Sequence, residues 1–252
     1  MNNICGLVIC HNEEKNIEDC LRSISWCDEI VVIDSFSKDS TISKVRKFTD
    51  KVYQNEWKGF AAQRKFALTK TSSEWILSLD ADERCTPELE SEIRAVLSTD
   101  KVPDDGFEIP RKSFFLDKWI KHGGWYPNYQ LRLFRKNKAD VTDRLVHESY
   151  SVNGKTARLK NDMLHYTVTS VSEFVNKINS YSDLSAREKY GKRKIGFLHI
   201  FIIPRLAFFQ QYILKGNFLD GIEGLMVSKF HMMTKLLNNM KIMEMQLKEK
   251  EK

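Results

Sequence analysis

Cysteine pairing is missing from this chain. The five cysteines, at positions 5, 10, 20, 27 and 85, form no Cys-x-x-Cys pair and no zinc spacing, and their odd number argues against a disulfide framework. They read as reduced thiols in a cytoplasmic setting, mostly filling core. No export signal is expected either. Before His11-Asn12-Glu13-Glu14 there is only the apolar stretch from Ile4 to Cys10, too short for export and with no basic region ahead of it. Neither Gly-x-Gly-x-x-Gly nor a Walker sequence occurs, which excludes the usual glycine-rich phosphate cradles.

What is present suits a globular protein. With 252 residues, 42% of them hydrophobic, the chain can form one α/β domain or one domain plus an appendage. The net charge of +6 is unevenly spread: residues 187–252 hold 13 of the 40 Lys and Arg but only 6 of the 34 Asp and Glu. A basic tail on a nearly neutral domain implies an anionic surface as partner.

Apolar runs alternate with helical periodicity along the first hundred residues. Ile4 to Cys10 reads as a buried strand, followed by a helix that Asn12 can cap and that carries Ile17, Cys20, Leu21 and Ile24. Glu29 to Asp34 is a second strand, then come a loop over 35–40 and a short helix over 41–48. Residues 51–54 give a third strand, 60–68 a helix, and 75–79 a fourth strand. This β-α-β-α-β-α-β order implies a mainly parallel sheet with crossover helices.

Such a sheet gathers His11 to Glu13, Asp34 to Asp39 and Asp80 to Glu83 at one edge, where open α/β sheets bind ligands. Asp80-Ala81-Asp82 is shaped to hold a divalent cation beside phosphate oxygens. Acids after a strand are also common as helix caps, but Thr86 with Pro87 behind it serves the next helix without them. Like charges at one edge repel unless a cation or a donor-rich ligand offsets them, and Arg64 and Lys65 are cationic candidates.

From Gly106 the pattern changes to extended segments at 107–111 and 130–135, the second alternating as a half-buried strand does. Between them, His122-Gly123-Gly124-Trp125-Tyr126-Pro127 either forms an aromatic platform for a sugar ring or caps the core.

Taken in order, Val8-Ile9-Cys10-His11-Asn12-Glu13-Glu14, Val32-Ile33-Asp34-Ser35-Phe36-Ser37-Lys38-Asp39-Ser40-Thr41 and Asp80-Ala81-Asp82-Glu83 resemble the family 2 glycosyltransferases over roughly residues 4–170. Trp125-Tyr126-Pro127, the segment 130–135 and Val146-His147-Glu148 resemble the lipopolysaccharide core β-glucosyltransferase branch. The resemblance implies a GT-A fold: Rossmann-like, a mainly parallel sheet with helices on both faces, here followed by C-terminal amphipathic helices. It implies a catalytic domain over 1–170 and a helical region over 171–252.

The same resemblance implies a metal-dependent inverting hexosyltransferase using a UDP-sugar, with glucose the expected sugar. Glu13 and Asp34 would then recognise the nucleoside, Asp34 accepting the uracil imide N–H. Arg64 would lie near the diphosphate or base, Asp80 near the ribose, and Asp82 on a Mg2+ or Mn2+ ion. His165 occupies a place where related enzymes sometimes supply a further metal or phosphate ligand, although a lone histidine also serves as a packed or capping residue. The family's usual acidic pair is replaced by His147-Glu148, with Glu148 the expected base and His147 positioning it or contacting the acceptor. A non-catalytic nucleotide-sugar or membrane-binding scaffold of the same fold is the alternative.

Residues 195–214 are very apolar yet contain His199, Pro204, Arg205 and two glutamines, so a helix lying in the membrane interface is expected rather than one that spans. Arg187, Lys189, Lys192, Arg193 and Lys194 flank it for anionic headgroups. Leu225, Met226, Phe230, Met233, Leu236 and Leu237 continue an apolar stripe, which meets the membrane or packs on the catalytic domain or a second copy. A glycolipid acceptor at the cytoplasmic face of the inner membrane suits this tail. A nucleic-acid partner does not, because the aromatics sit in an apolar block rather than interleaved with charge.

Overall fold

The computed structural model describes residues 2–99, 101–142 and 150–250. In chain order the elements are β1 (Ile4–Cys10), α1 (Ile17–Ser23), β2 (Glu29–Asp34), α2 (Thr41–Val45), β3 (Val52–Gln54), α3 (Phe60–Lys70), β4 (Trp75–Asp80), β5 (Glu83–Cys85) and α4 (Pro87–Leu97). Then follow β6 (Gly106–Phe115), β7 (Lys118–Trp119), β8 (Asn128–Arg135), β9 (Ala139–Val141), β10 (Tyr150–Val152), β11 (Thr156–Arg158) and β12 (Met163–Val168). The last part is helical: α5 (Val171–Lys189), α6 (Phe197–Phe201), α7 (Ile203–Phe209) and α8 (Gly221–Lys250). Two compact units result, one of residues 1–112 and 128–165, the other of 113–127 and 166–252.

In the first unit the sheet runs β3-β2-β1-β4-β8-β6-β12-β5, with β11 beside β6. β1 pairs in parallel with β2 and β4, and β2 with β3, while β8 lies antiparallel to β4 and to β6. Period-two alternation decides which side chain faces which helix layer. Val8, Cys10, Val32, Leu77 and Leu79 face one way and bury α1 and α4 through Ile17, Leu21, Ile24, Leu89 and Ile93. Cys5, Leu7, Val31, Ile33 and Ile76 face the other and bury Ala67 of α3 together with Val141 and Tyr150. Leu7 and Leu77 are fully buried, so truncating either to Ala removes about 2–5 kcal/mol.

The five cysteines are free. Burial pushes their thiols up, Cys85 to about 12, which leaves them inert at neutral pH. At α4 the expected start holds: the Thr86 hydroxyl accepts from the Leu89 amide at 3.2 Å, with Pro87 in the first turn. At α1 it does not. Asn12 sits at φ 54° outside the helix, which begins five residues later at Ile17. Its amide group serves the neighbouring loop instead, Oδ1 accepting from the Lys38 N–H at 2.8 Å.

The second unit is organised around α8, which packs along α5 and α7. Phe115, Ile120, Val168 and Val227 form one buried cluster with Phe174, Met226 and Phe230, and Ala186, Ile195 and Ile242 form another. Part of the expected apolar stripe, Met226 and Phe230, is thus spent within this unit. Ser170 caps α5, accepting from the Glu173 amide at 3.1 Å. Trp125 packs edge-on to Phe115, 6.5 Å between ring centres, and the Gly123 carbonyl accepts from Gln211 Nε2. The glycine and aromatic loop therefore belongs to the packing of this unit.

Residues 197–214 have a mean hydropathy of 1.4, apolar and long enough by composition to cross a membrane. They do not form one regular helix. α6 and α7 are separated at Ile202, two residues ahead of Pro204, whose ring cannot share space with the carbonyl four residues earlier, and α7 runs into a π turn over Gln210–Leu214.

Candidate active site

Parallel pairing on both sides of β1 brings the acids to one edge of the sheet. Cys10 lies opposite Asp34, and Ile9 opposite Asp80. At the usual strand spacing the backbones of Asp34 and Asp80 stand about 10 Å apart, with β1 between them.

Asp34 is fully buried. Its carboxylate accepts from the Ser37 amide at 3.0 Å, the Ser37 hydroxyl at 2.5 Å and Gln54 Nε2 at 3.2 Å. The Asn12 amide in turn donates to Ser37 Oγ at 2.8 Å. Phe36 turns the loop between them at φ 59° and is 52% exposed. The loop thus folds over Asp34. Glu13 is half-buried, and its Oε2 accepts from Asn16 Nδ2 at 2.8 Å while its N–H donates to the Thr41 hydroxyl at 2.8 Å. Glu14 and Asp39 lock the same two loops: the Ser40 hydroxyl donates to Glu14 at 2.6 Å, and the Thr41 hydroxyl to Asp39 at 2.5 Å.

The acids after β4 are offset by arginines of the chain itself. Arg132 Nη2 reaches Asp80 Oδ2 at 2.5 Å and Glu83 Oε1 at 2.7 Å, and Arg111 Nη1 adds a bond to Glu83 Oε1 at 3.1 Å. Arg64 stands 3.8 Å from Asp80 Oδ1, its guanidinium over the rings of Phe60 and Tyr150. Glu83 is fully buried, and its Oε2 accepts from the Asp80 amide at 2.9 Å. Burial alone would push the Asp80 carboxyl up. The charges of Arg132 and Arg64 outweigh it and hold the group well below the usual carboxylate range, hence ionised. The importance of Arg132 was not visible in the sequence. The alternation of β8 marks it only as lying between Leu131 and Leu133, and the antiparallel pairing of β8 with β4, Leu133 opposite Leu77, is what brings it to the acids.

Asp82 is the second acid at the end of β4. β5 pairs antiparallel with β12 so that Glu83 faces His165, and His165 Nε2 is 3.3 Å from Asp82 Oδ2. Arg84 fixes the intervening turn, donating to the carbonyls of Ala81 and Glu83, both at 2.9 Å. Among the described residues no three or more His, Cys, Asp or Glu side chains are grouped to hold a metal. Two adjacent donors nevertheless fit part of an octahedral shell, in which neighbouring ligands of a Mg2+ or Mn2+ ion stand about 3 Å apart and phosphate oxygens commonly fill other positions. Asp82 and His165 have that spacing, with 20% and 11% of their side chains open. Glu13, Asp34, Arg64, Asp80, Asp82 and His165 all belong to the first unit. His147 and Glu148 lie outside the described residues.

A mixed sheet that is parallel through β3-β2-β1-β4, helices on both faces and acids at the carboxyl ends of the parallel strands define a GT-A fold, the class of nucleotide-sugar-dependent transferases. The Glycosyl transferase family 2 profile matches residues 7–153, and the chain belongs to that family. It is similar to the lipopolysaccharide core biosynthesis glycosyltransferase LpsC of Rhizobium meliloti, with 28% identity over 232 residues covering 88% of this chain and 84% of that one. Among solved structures it is similar to TarS 1-349 of S. aureus in complex with UDP, at 14% identity and a TM-score of 0.48 over 98% of this chain and 92% of that one. It is also similar to glucosyl-3-phosphoglycerate synthase of Mycobacterium tuberculosis with Mn2+ and UDP-glucose, at 23% identity and a TM-score of 0.37 over 45% of this chain and 44% of that one.

Proposed function

We propose that the protein is an inverting hexosyltransferase that moves glucose from UDP-glucose onto a lipid-linked saccharide such as the lipopolysaccharide inner core. The observation that carries this reading is the Asp82–His165 pair, 3.3 Å apart, beside an Asp80 held ionised by Arg132 and Arg64. LpsC, named for lipopolysaccharide core biosynthesis, supports the acceptor class.

In this reading Asp82 and His165 hold a Mg2+ or Mn2+ ion. The ion supplies charge neutralisation for the departing nucleoside diphosphate. Arg64 lies by the diphosphate, and Asp80, its orientation fixed by Arg132, faces the ribose. Glu13 and Asp34 take the nucleoside, the uracil imide N–H replacing the Ser37 hydroxyl on the Asp34 carboxylate. Glu148 removes the proton from the acceptor hydroxyl, and His147 positions it or contacts the acceptor. Attack from the face opposite the leaving group converts the donor's α configuration to a β linkage.

The catalytic region 1–170 acts on an acceptor that resides in a membrane, and the helical region 171–252 attaches to the cytoplasmic face of that membrane. Phe197, Leu198, Leu206 and Leu214, each at least 59% exposed, support the attachment. Attachment confines the search for acceptor to two dimensions.

The test is UDP release from a panel of UDP-sugars with a heptose-containing lipid A acceptor, with and without Mn2+ or Mg2+. Metal-dependent release from UDP-glucose, abolished by Asp82→Ala and by Glu148→Gln, is expected. UDP binding without turnover of any donor on any glycolipid would favour a scaffold instead.

A further inference from the structure

The helical unit contains a cavity with one cationic and one apolar wall. It has a volume of about 530 Å³ and is lined on one side by Lys189 and Arg193, from the end of α5 and the turn after it, and by Lys235 and Asn238 of α8. Its other side is made by α7 and the π turn, through residues that include Leu206, Phe209 and Leu214.

The three cations line one wall of the cavity together. Lys189 Nζ donates to the Ser185 hydroxyl at 2.8 Å and Arg193 Nη2 to Asn239 Oδ1 at 2.8 Å, both neutral acceptors. Among the described residues none of the three makes an ion pair with a carboxylate. Burial, then the neighbouring charges of Lys235 and Arg193, hold the Lys189 ammonium below its ordinary value, with Glu188 acting weakly the other way. This wall therefore offers positive charge to an anion.

The opposite wall shows what kind of molecule fits. Leu206, Phe209 and Leu214 are 59%, 51% and 70% exposed. They belong to a run in which twelve large apolar side chains between Phe197 and Ile222 are at least 36% exposed. A ligand that satisfies both walls is an anion on one side and hydrocarbon on the other. A second copy of the chain would bring the same excess of Lys and Arg against these cations, which disfavours self-association here.

We propose that this cavity is a headgroup site for an anionic glycerophospholipid of the bilayer. The phosphate lies among Lys189, Arg193 and Lys235, and the acyl chains leave over Leu206, Phe209 and Leu214. The site rests on the membrane attachment proposed above and adds a discrete, headgroup-selective contact to it.

Co-sedimentation of the full chain with phosphatidylcholine vesicles, with and without phosphatidylglycerol, tests it. The protein should prefer the phosphatidylglycerol vesicles, and Lys189→Gln/Lys235→Gln should weaken that binding about tenfold or more. Lys192→Gln/Lys194→Gln removes equal charge from residues that do not line the cavity and should cost much less. Lys189→Arg/Lys235→Arg, which keeps charge and bulk, should retain the preference, and so separates loss of the site from loss of folding. Equal weakening by the two glutamine pairs would overturn the discrete site while leaving membrane attachment standing. Absence of binding to every vesicle would overturn the attachment and the site together, and displacement by millimolar inorganic phosphate would overturn the lipid as the ligand.

Discussion

His165 and Asp82, 83 residues apart, meet side by side with Nε2 and Oδ2 at 3.3 Å because β12 pairs antiparallel with β5 and sets His165 opposite Glu83. The contact depends on strand register, and a slip of one residue would turn His165 to the other face of the sheet. Replacing His165 by Ala should raise the Mn2+ concentration needed for half-maximal UDP release at least about tenfold, while His165→Ala remains folded by circular dichroism. Unchanged metal dependence would make His165 a packing residue.

Arg132 serves two acids at once, one of them wholly inaccessible. Removing it leaves Glu83 buried with Arg111 as its remaining cation and Asp80 with the more distant Arg64. Arg132→Ala should lower unfolding free energy by about 3–5 kcal/mol in a urea titration. Adding Glu83→Gln should recover part of the loss, because the uncompensated charge is then removed. If the second change made matters additively worse, the clamp would not be an electrostatic unit.

Glu29, at the start of β2, supplies a pH dependence remote from the active site. It is 8% exposed and accepts from Lys51 Nζ at 2.7 Å and from the amides of Ser72 and Ser73 at 3.0 and 3.2 Å. Burial pushes its carboxyl up, but these donors outweigh it and bring the group down to about 2. A folded-state value below the unfolded one means stability that is fully present above the ordinary carboxylate range and lost as pH falls toward 2. The contribution at neutral pH is about 3 kcal/mol. Glu29→Gln should therefore be less stable than the wild type at pH 7, and the difference should shrink between about pH 5 and pH 2. A gap that stays constant over that range would contradict the assignment.

Gly224 permits the close start of α8. A Cβ there would stand 1.9 Å from the Asn217 carbonyl oxygen. Gly224→Ala should cost about 1–3 kcal/mol through backbone displacement and lower the thermal midpoint by several degrees. An unchanged midpoint would show that the 217–224 turn yields freely.

The parts legible in the sequence are those set by local pattern. β1, β2 and β4 are apolar runs ending in or near a polar group, and parallel pairing follows from the helices between them, so the acidic edge could be read before any coordinates. The start of α4 was equally plain, because Thr86 and Pro87 act within one turn. Asn12 misled for a physical reason: as a cap and as a loop staple it uses the same short amide, and only the neighbouring chain at Ser37 and Lys38 decides between them. Arg132 was illegible because its acids lie distant in sequence, and the loop over Asp34 because its local Ser37 contacts are held by Asn12 of another loop. The apolar character of 197–214 was clear, whereas the break at Ile202 and the cavity against α8 emerge only from packing.

UDP binding measured calorimetrically with and without Mn2+, on the wild type and Asp82→Ala, tests the central claim most directly. The site described here predicts that Mn2+ strengthens UDP binding to the wild type at least about tenfold and does little for Asp82→Ala. Equal enhancement in both proteins would contradict a metal-nucleotide site at Asp82 and His165.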